Sequence, residues 1–262
     1  MALNTEQQPA RGEQTAHAPT APSESTGRVV ARLDDVHFDY TMLGVSGRKK
    51  ITGVETRIGG HIQVKKRRIE VSALQGIDLE IRAGQRIGFC GSNGAGKSTL
   101  LRLIAGIYKP TQGTIEVHGK IASIFDRMLG MDSELTGHEN ILVRGMFMGM
   151  RPDAVREKID EIVDFCELDD FLHLPLRAYS PGMRARLGFA ICTAFDADIL
   201  LLDEWLGVGD ARFAERARQR MGEFFGSAGT VILASHNEKL IKNNCHEYYL
   251  LDKGRIVDHI TL

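Results

Sequence analysis

The stretch Gly91-Ser92-Asn93-Gly94-Ala95-Gly96-Lys97-Ser98-Thr99 matches G-x-x-x-x-G-K-[ST], the pattern of a phosphate-binding loop. Its glycines let the backbone wrap round a polyphosphate without Cβ clashes, so successive N–H groups turn inward as an anion nest. Gly91, Ser92, Asn93, Gly94, Ala95 and Gly96 form the cradle, and Thr99 closes it. Lys97 reaches the β- and γ-phosphates, and the Ser98 hydroxyl is placed to hold Mg2+. The flanks agree. Arg86-Ile87-Gly88-Phe89-Cys90 reads as a short buried strand, and Ser98 to Ala105 as a helix stopped by Gly106. A strand, a glycine loop and a helix present phosphate to a helix N-terminus, where the dipole favours negative charge.

The 262 residues suit one large α/β domain or two small ones. With 33 Lys and Arg against 34 Asp and Glu, the formal net charge of −1 argues against a general nucleic-acid binder, which carries a broad basic excess. Cys90, Cys166, Cys192 and Cys245 form no C-x-x-C pair, so they read as buried reduced thiols. Residues 1–28 are rich in Ala, Thr, Pro, Gln, Glu and Ser and read as a disordered tail ahead of a domain over 29–262. That tail lacks the basic and apolar regions of a secretory signal. No window approaches the ~18 apolar residues of a membrane-spanning helix, so any membrane passage is expected from another polypeptide.

Val29 to Tyr40 reads as a first strand, 41–57 as loop, and Ile58 to Ile81 as further strands broken by Gly59-Gly60 and Gly76. Gly113 to Gly119 is a strand bracketed by glycines. From residue 130 the character changes: Val155, Ile159, Ile162, Val163 and Cys166 recur at helical spacing, which marks a helical insertion over about 130–195. Ile199-Leu200-Leu201-Leu202 and Thr230-Val231-Ile232-Leu233-Ala234 are continuous apolar runs, as in strands buried on both faces of a parallel sheet. Helices over 213–225 and 238–243, then strands over 248–251 and 255–257, complete an alternation that implies a mostly parallel sheet.

Asp203 and Glu204 end the first of those runs, at the C-terminal edge where parallel sheets bind ligands. Asp203 suits a Mg2+ contact and Glu204 a general base that polarises an attacking water. His236, just past the next buried strand, is placed to contact a γ-phosphate and orient water. In Tyr179-Ser180-Pro181-Gly182-Met183-Arg184-Ala185-Arg186-Leu187, Ser180 is a good N-cap and Pro181 fits the first helical position.

This order (phosphate loop, helical insertion, Ser-x-Gly helix start, Asp-Glu, His) resembles that of ATP-binding cassette (ABC) ATPases over residues 29–260. Within them the chain resembles the ATPase subunits of polysaccharide exporters. The matching stretches are Leu135-Thr136-Gly137-His138-Glu139-Asn140-Ile141, the Tyr179–Leu187 segment, and Asp203-Glu204-Trp205-Leu206-Gly207-Val208-Gly209-Asp210. The resemblance implies a P-loop NTPase with a mostly parallel core sheet, an N-terminal antiparallel β subdomain and a helical insertion. It also implies a head-to-tail homodimer, in which Ser180 and the Gly182 N–H serve an ATP held by the partner's loop and Gly207–Asp210 crosses the interface. ATP and Mg2+ are the implied ligands, and Tyr40 stands where the family stacks an aromatic on adenine.

One element departs from the pattern. Where the family has a Gln between core and insertion, this chain reads Ile124-Phe125-Asp126-Arg127, with Asp126 at the equivalent position. Met128, Met131, Met146, Met148 and Met150 suit either irregular core packing or a groove for another protein's helix; in the family this region receives the coupling helix of a transmembrane permease subunit. Arg48, Lys49, Lys50, Arg57 and Lys65, Lys66, Arg67, Arg68 face a single acid, Glu55. They suit a solvated surface, or contact with anionic lipid or a phosphate-bearing substrate at ~1 kcal/mol per basic residue. The expectation is an ATP hydrolase at the cytoplasmic face of the inner membrane, peripheral, bound to a permease dimer and powering export of a lipid-linked polysaccharide. The alternatives are an ABC ATPase for a different cargo, and a soluble cassette protein of ribosomes or DNA repair. The chain ends soon after its last strand, so substrate selection is expected in the membrane partner or a separate protein.

Overall fold

A computed structural model describes residues 27–43, 61–65, 68–125, 128–203 and 211–262. The expected tail as far as residue 26, the basic segment as far as residue 60 together with Lys66 and Arg67, Asp126 with Arg127, and Glu204 to Asp210 lie outside those residues.

Two sheets organise the chain. In the first, β1 (Val29–Leu43), β2 (His61–Lys65), β3 (Arg68–Arg82) and β5 (Gln112–Val117) run in the order β2-β3-β1-β5, antiparallel throughout. The second holds β4 (Arg86–Cys90), β6 (Ile121–Ser123), β7 (Ile199–Asp203), β8 (Thr230–Ser235), β9 (Glu247–Asp252) and β10 (Arg255–Thr261), in the order β10-β9-β4-β8-β7-β6. All its pairings are parallel except the β9–β10 hairpin. Burial accounts for the apolar runs: every residue of β8 and all of β7 up to Leu202 are buried, because helices cover both faces of the sheet.

Differences from the sequence expectation concern strand limits. β1 continues through Thr41, Met42 and Leu43, which read as loop, because these residues pair with Glu70, Ile69 and Arg68. Gly76 does not break a strand. It lies inside β3 at φ +65°, where Leu74 faces Phe38 but Ile77 faces Val36, so β3 carries one extra residue. That is a β-bulge, and glycine supplies its left-handed conformation. β6 is only three residues long and too short for its period to show in the sequence. β10 reaches Thr261 rather than ending near Val257.

Between β6 and β7 the chain is helical. α2 (Gly137–Phe147) begins with a reciprocal cap in which Thr136 accepts from the Glu139 N–H and Glu139 accepts from the Thr136 N–H. α3 (Pro152–Arg156) and α4 (Ile159–Cys166) split what reads as one periodic segment, while Val155, Ile162 and Cys166 remain buried. Two short 3-10 segments, Asp169–His173 and Leu176–Ala178, lead to α5 (Pro181–Cys192). α1 (Lys97–Ile104) follows the phosphate loop, α6 (Ala211–Ser227) precedes β8, and α7 (Glu238–Asn244) precedes β9.

The hydrophobic residues form two clusters on either side of the parallel sheet. One joins α1 to the antiparallel sheet through Leu74, Ile77, Leu100, Leu101 and Phe89; the other joins the inserted helices to α6 through Ile162, Phe189, Phe213 and Leu200. The second contact is reinforced electrostatically. Glu167, at φ +52° after the last turn of α4, pairs with Arg216 of α6 and lies 3.8 Å from Arg212 and 3.9 Å from Arg186 of α5. Glu161 pairs with Arg220, and the guanidinium groups of Arg216 and Arg220 lie over the Phe165 ring at 5.2 and 5.0 Å.

All four cysteines are unpaired and buried. Burial pushes the Cys245 thiol up to about 12 and Cys166 to about 11, and raises Cys90 as well. Native protein at pH 8 is therefore expected to resist iodoacetamide while unfolded protein takes up four equivalents. Mass spectrometry reads the count, and rapid native labelling at any site would contradict the packing.

Candidate functional site: a phosphate loop at the parallel edge

Three neighbouring strands deliver the candidate residues to one edge. In the parallel register Cys90 pairs with Ser235, and Asp203 pairs with Ala234. The loop beginning at Gly91, the Asp203 carboxylate and the exposed His236 therefore leave the sheet at the same end, on β4, β7 and β8. This is the C-terminal edge that binds ligands in such sheets.

The loop is shaped by its glycines. A Cβ on Gly91 would sit 2.3 Å from the Leu251 carbonyl oxygen, and one on Gly96 would sit 2.7 Å from the Leu74 side chain and 2.8 Å from the Ala73 oxygen. Gly91, Gly94 and Gly96 have φ of +155°, +85° and +108°. Gly96 is the N-cap of α1 and supplies no side-chain cap. The N–H groups of a first helical turn lack intrahelical acceptors, so here they face the concavity of the loop with the positive end of the helix dipole behind them. Lys97 is 6% exposed, and its ammonium donates to the carbonyls of Gly91 at 2.8 Å and Ser92 at 2.9 Å. Its charge is thus folded across the mouth of its own loop. Ser92, Asn93 and Gly94 form the exposed rim, Ala95 is buried beneath it, and the half-buried Ser98 and buried Thr99 sit in the first turn of α1.

Tyr40 belongs to the same neighbourhood. Its hydroxyl shares a 3.1 Å hydrogen bond with the Thr99 hydroxyl, which ties β1 to the first turn of α1. Its ring meets Phe38 edge-on at 4.9 Å and Tyr108 at 5.9 Å, and Phe38 stacks on Tyr108 at 5.0 Å. Tyr108 is a member of this cluster that the sequence reading did not single out. The alternation of Phe38 and Tyr40 on one strand face was the available signal.

The Ser180–Gly182 helix start stands apart. Ser180 caps α5, its Oγ accepting from the Met183 N–H at 3.2 Å, and Pro181 occupies the first helical position. With Glu167, Asp169, Phe171 and Arg186, this start lines a cleft of about 730 Å³ to which the phosphate loop contributes no residue. Among the described residues nothing requires glycine at 182, since a Cβ there would meet only the Ser180 Oγ, at 3.8 Å. On the other side of the insertion a groove of about 310 Å³ runs between Ile107, Ile121 and Ser123 of the core and Leu129, Phe147 and Met148 of the insertion. Of the groove's lining, Phe147 is 57% exposed; Met128 and Met146 are exposed outside that lining, whereas Met131, Met148 and Met150 pack against the core. The methionine-rich segment is thus part core packing and part exposed surface.

The family described as ABC transporter matches residues 74–207. The chain belongs to the ABC transporter family. It is 42% identical over 221 residues to the O-antigen export system ATP-binding protein RfbE of Yersinia enterocolitica, covering 84% of this chain and 91% of that protein. It is 41% identical to the O-antigen export system ATP-binding protein RfbB of Myxococcus xanthus and 38% identical to the teichoic acids export ATP-binding protein TagH of Bacillus anthracis. Each match covers 71% of this chain but only 43% and 34% of those longer relatives. Among solved structures, the ATP-binding cassette MJ0796, a dimer in a post-hydrolysis state bound to ADP and Pi, superposes with a TM-score of 0.63 at 21% identity. That match covers 88% of this chain and 98% of the other, and establishes the ABC cassette fold.

Proposed function

We propose that this chain is the ATP-hydrolysing subunit of an ABC transporter that exports a lipid-linked polysaccharide, with O-antigen, capsular polysaccharide and teichoic acid as the candidate class. The observation that carries the reading is the convergence of the Gly91–Thr99 loop, Asp203 and His236 on one sheet edge. The names of the relatives supply the cargo class.

The chain's own residues suit each step. Loop N–H groups and Lys97 bind the triphosphate, and Tyr40 offers a ring beside Thr99 for the base. The Ser98 hydroxyl and the Asp203 carboxylate are hard oxygen donors on neighbouring elements. Mg2+ favours such ligands, because it takes one or two protein oxygens and completes its shell with water and phosphate. Bound there, the ion would neutralise charge on the transferred phosphoryl group. Glu204, immediately after Asp203, is proposed as the general base and His236 as the γ-phosphate sensor, both acting on the attacking water.

A homodimer follows from the separation of the two phosphate-directed helix starts. Ser180 and Gly182 lie in a cleft of their own, so they suit a nucleotide held by a second copy's loop. The groove beside Phe147 suits a helix of the permease, which would place the chain on the cytoplasmic membrane face. No helix among the described residues is long and apolar enough to cross a membrane.

Two measurements test the assignment. Deleting the chain's gene should leave lipid-linked polysaccharide in the inner leaflet, detected as glycan inaccessible to lectin in intact cells. Replacing Leu129 and Phe147, which both line the groove, by aspartate should abolish co-purification with the permease. Normal surface glycan in the deletion strain would point to a different cargo, and undiminished capture of the double variant would remove the groove as the docking site.

A further inference from the structure

The phosphate loop is held from behind by a turn that belongs to neither the loop nor its helix. Lys253 and Gly254 connect β9 to β10 with φ of +46° and +79°. Positive values at both central residues make this a two-residue type I′ hairpin. Its backbone is pressed onto two other elements. The Gly254 N–H donates to the Ala95 carbonyl of the phosphate loop at 2.9 Å, and the Gly254 carbonyl accepts from the Gln75 N–H at 2.8 Å. The Ala95 N–H in turn donates to Ser92 at 3.2 Å. A continuous chain of peptide hydrogen bonds thus runs from the antiparallel sheet, through the hairpin turn, into the cradle.

The bulge in β3 makes this possible. Gln75 and Gly76 occupy the extra length between Leu74 and Ile77, which releases the Gln75 N–H from the ladder with β1 and turns it towards Gly254. The Gln75 side chain adds two contacts: its Nε2 donates to the Lys253 carbonyl at 3.2 Å, and its Oε1 accepts from Arg255 at 3.0 Å. There is no slack in the junction. A Cβ on Gly254 would lie 2.5 Å from the Ala73 oxygen, and one on Gly91 would lie 2.3 Å from the Leu251 oxygen, two residues before the turn of the same hairpin.

We infer that Gln75 and Gly254 are positioning residues for nucleotide binding: they brace the Ala95 peptide and so fix the curvature of the phosphate cradle. The inference rests on the proposal that the loop binds ATP. An anion nest depends on several N–H groups converging on one point, and small misalignment weakens all of them together. The brace therefore acts on affinity for the phosphate chain, which ATP and ADP share.

The test is equilibrium titration of the full chain with Mg·ATP and Mg·ADP, alongside the thermal midpoint without nucleotide. Gly254→Ala should weaken both nucleotides by about tenfold or more, and Gln75→Ala, which leaves the backbone bonds in place, by about threefold. Gln75→Ala should do so with a midpoint close to that of the wild type, a combination that a merely structural role would not produce. If Gly254→Ala does not fold, Gln75→Ala alone decides. Wild-type affinity in Gln75→Ala, with or without a lowered midpoint, would overturn the inference. A wild-type chain that failed to bind Mg·ATP would overturn the reading of the loop itself, and the inference with it.

Discussion

Lys97→Ala should reduce ATP hydrolysis by about 100-fold or more and abolish measurable ATP binding at micromolar concentrations. The ammonium already bridges the carbonyls of Gly91 and Ser92. Alanine removes the charge proposed to meet the β- and γ-phosphates and leaves the Gly91 and Ser92 carbonyl oxygens without their donor. Those oxygens would then repel an approaching anion. Malachite-green phosphate release and nucleotide titration measure the effect, and turnover within tenfold of wild type would exclude Lys97 from its role. Because Lys97 is part of the first turn of α1 and not of either hydrophobic cluster, the variant should remain folded.

Gly182→Asp separates the two halves of the proposed composite site. In the isolated chain the substitution should be benign, since among the described residues a Cβ at 182 meets only the Ser180 Oγ at 3.8 Å. A carboxylate in the first turn of α5 also agrees with the helix dipole. Monomer stability should change by no more than about 0.5 kcal/mol, and ATP should still bind to the same chain's loop. In a head-to-tail dimer, however, that carboxylate faces the partner's triphosphate, so hydrolysis should fall by about 100-fold. Mixing Gly182→Asp with Lys97→Ala gives a sharper readout. A mixed dimer contains one site damaged twice and one site built from an intact loop and an intact helix start. Two inactive preparations should therefore regain part of the wild-type rate on mixing. No recovery would count against the shared site, as would full activity in Gly182→Asp alone.

The core of the candidate site was legible because its chemistry is contiguous. Nine successive residues spell the loop, and the apolar runs ending at Asp203 and Ala234 predict strands whose observed register brings Asp203 and His236 to the loop's edge. What escaped was non-local. Nothing in Asp252-Lys253-Gly254-Arg255 announces that the turn touches Ala95, about 160 residues earlier in the chain. Gly76 read as a strand breaker because a bulge and a break share the same residue type; only the paired strand distinguishes them. β6 was too short to show a period, and Tyr108 acquires its place only once β1 lies over α1. The split between α3 and α4 likewise preserves the buried positions that suggested one helix, because Val155 and Ile162 keep the same inward face across the break.

The clasp between α4 and α6 has a mechanical corollary. Acids at both ends of one helix are gripped by guanidinium groups spaced along the other, with Phe165 wedged between them. A load applied at Ser180 would pass down α5 to Arg186 and Glu167 and pull on Arg212, beside the first residue of α6. Because Phe213, Met221 and Phe224 of α6 share a buried cluster with Leu200 and Leu233 of the sheet, that load would reach the sheet through packed side chains.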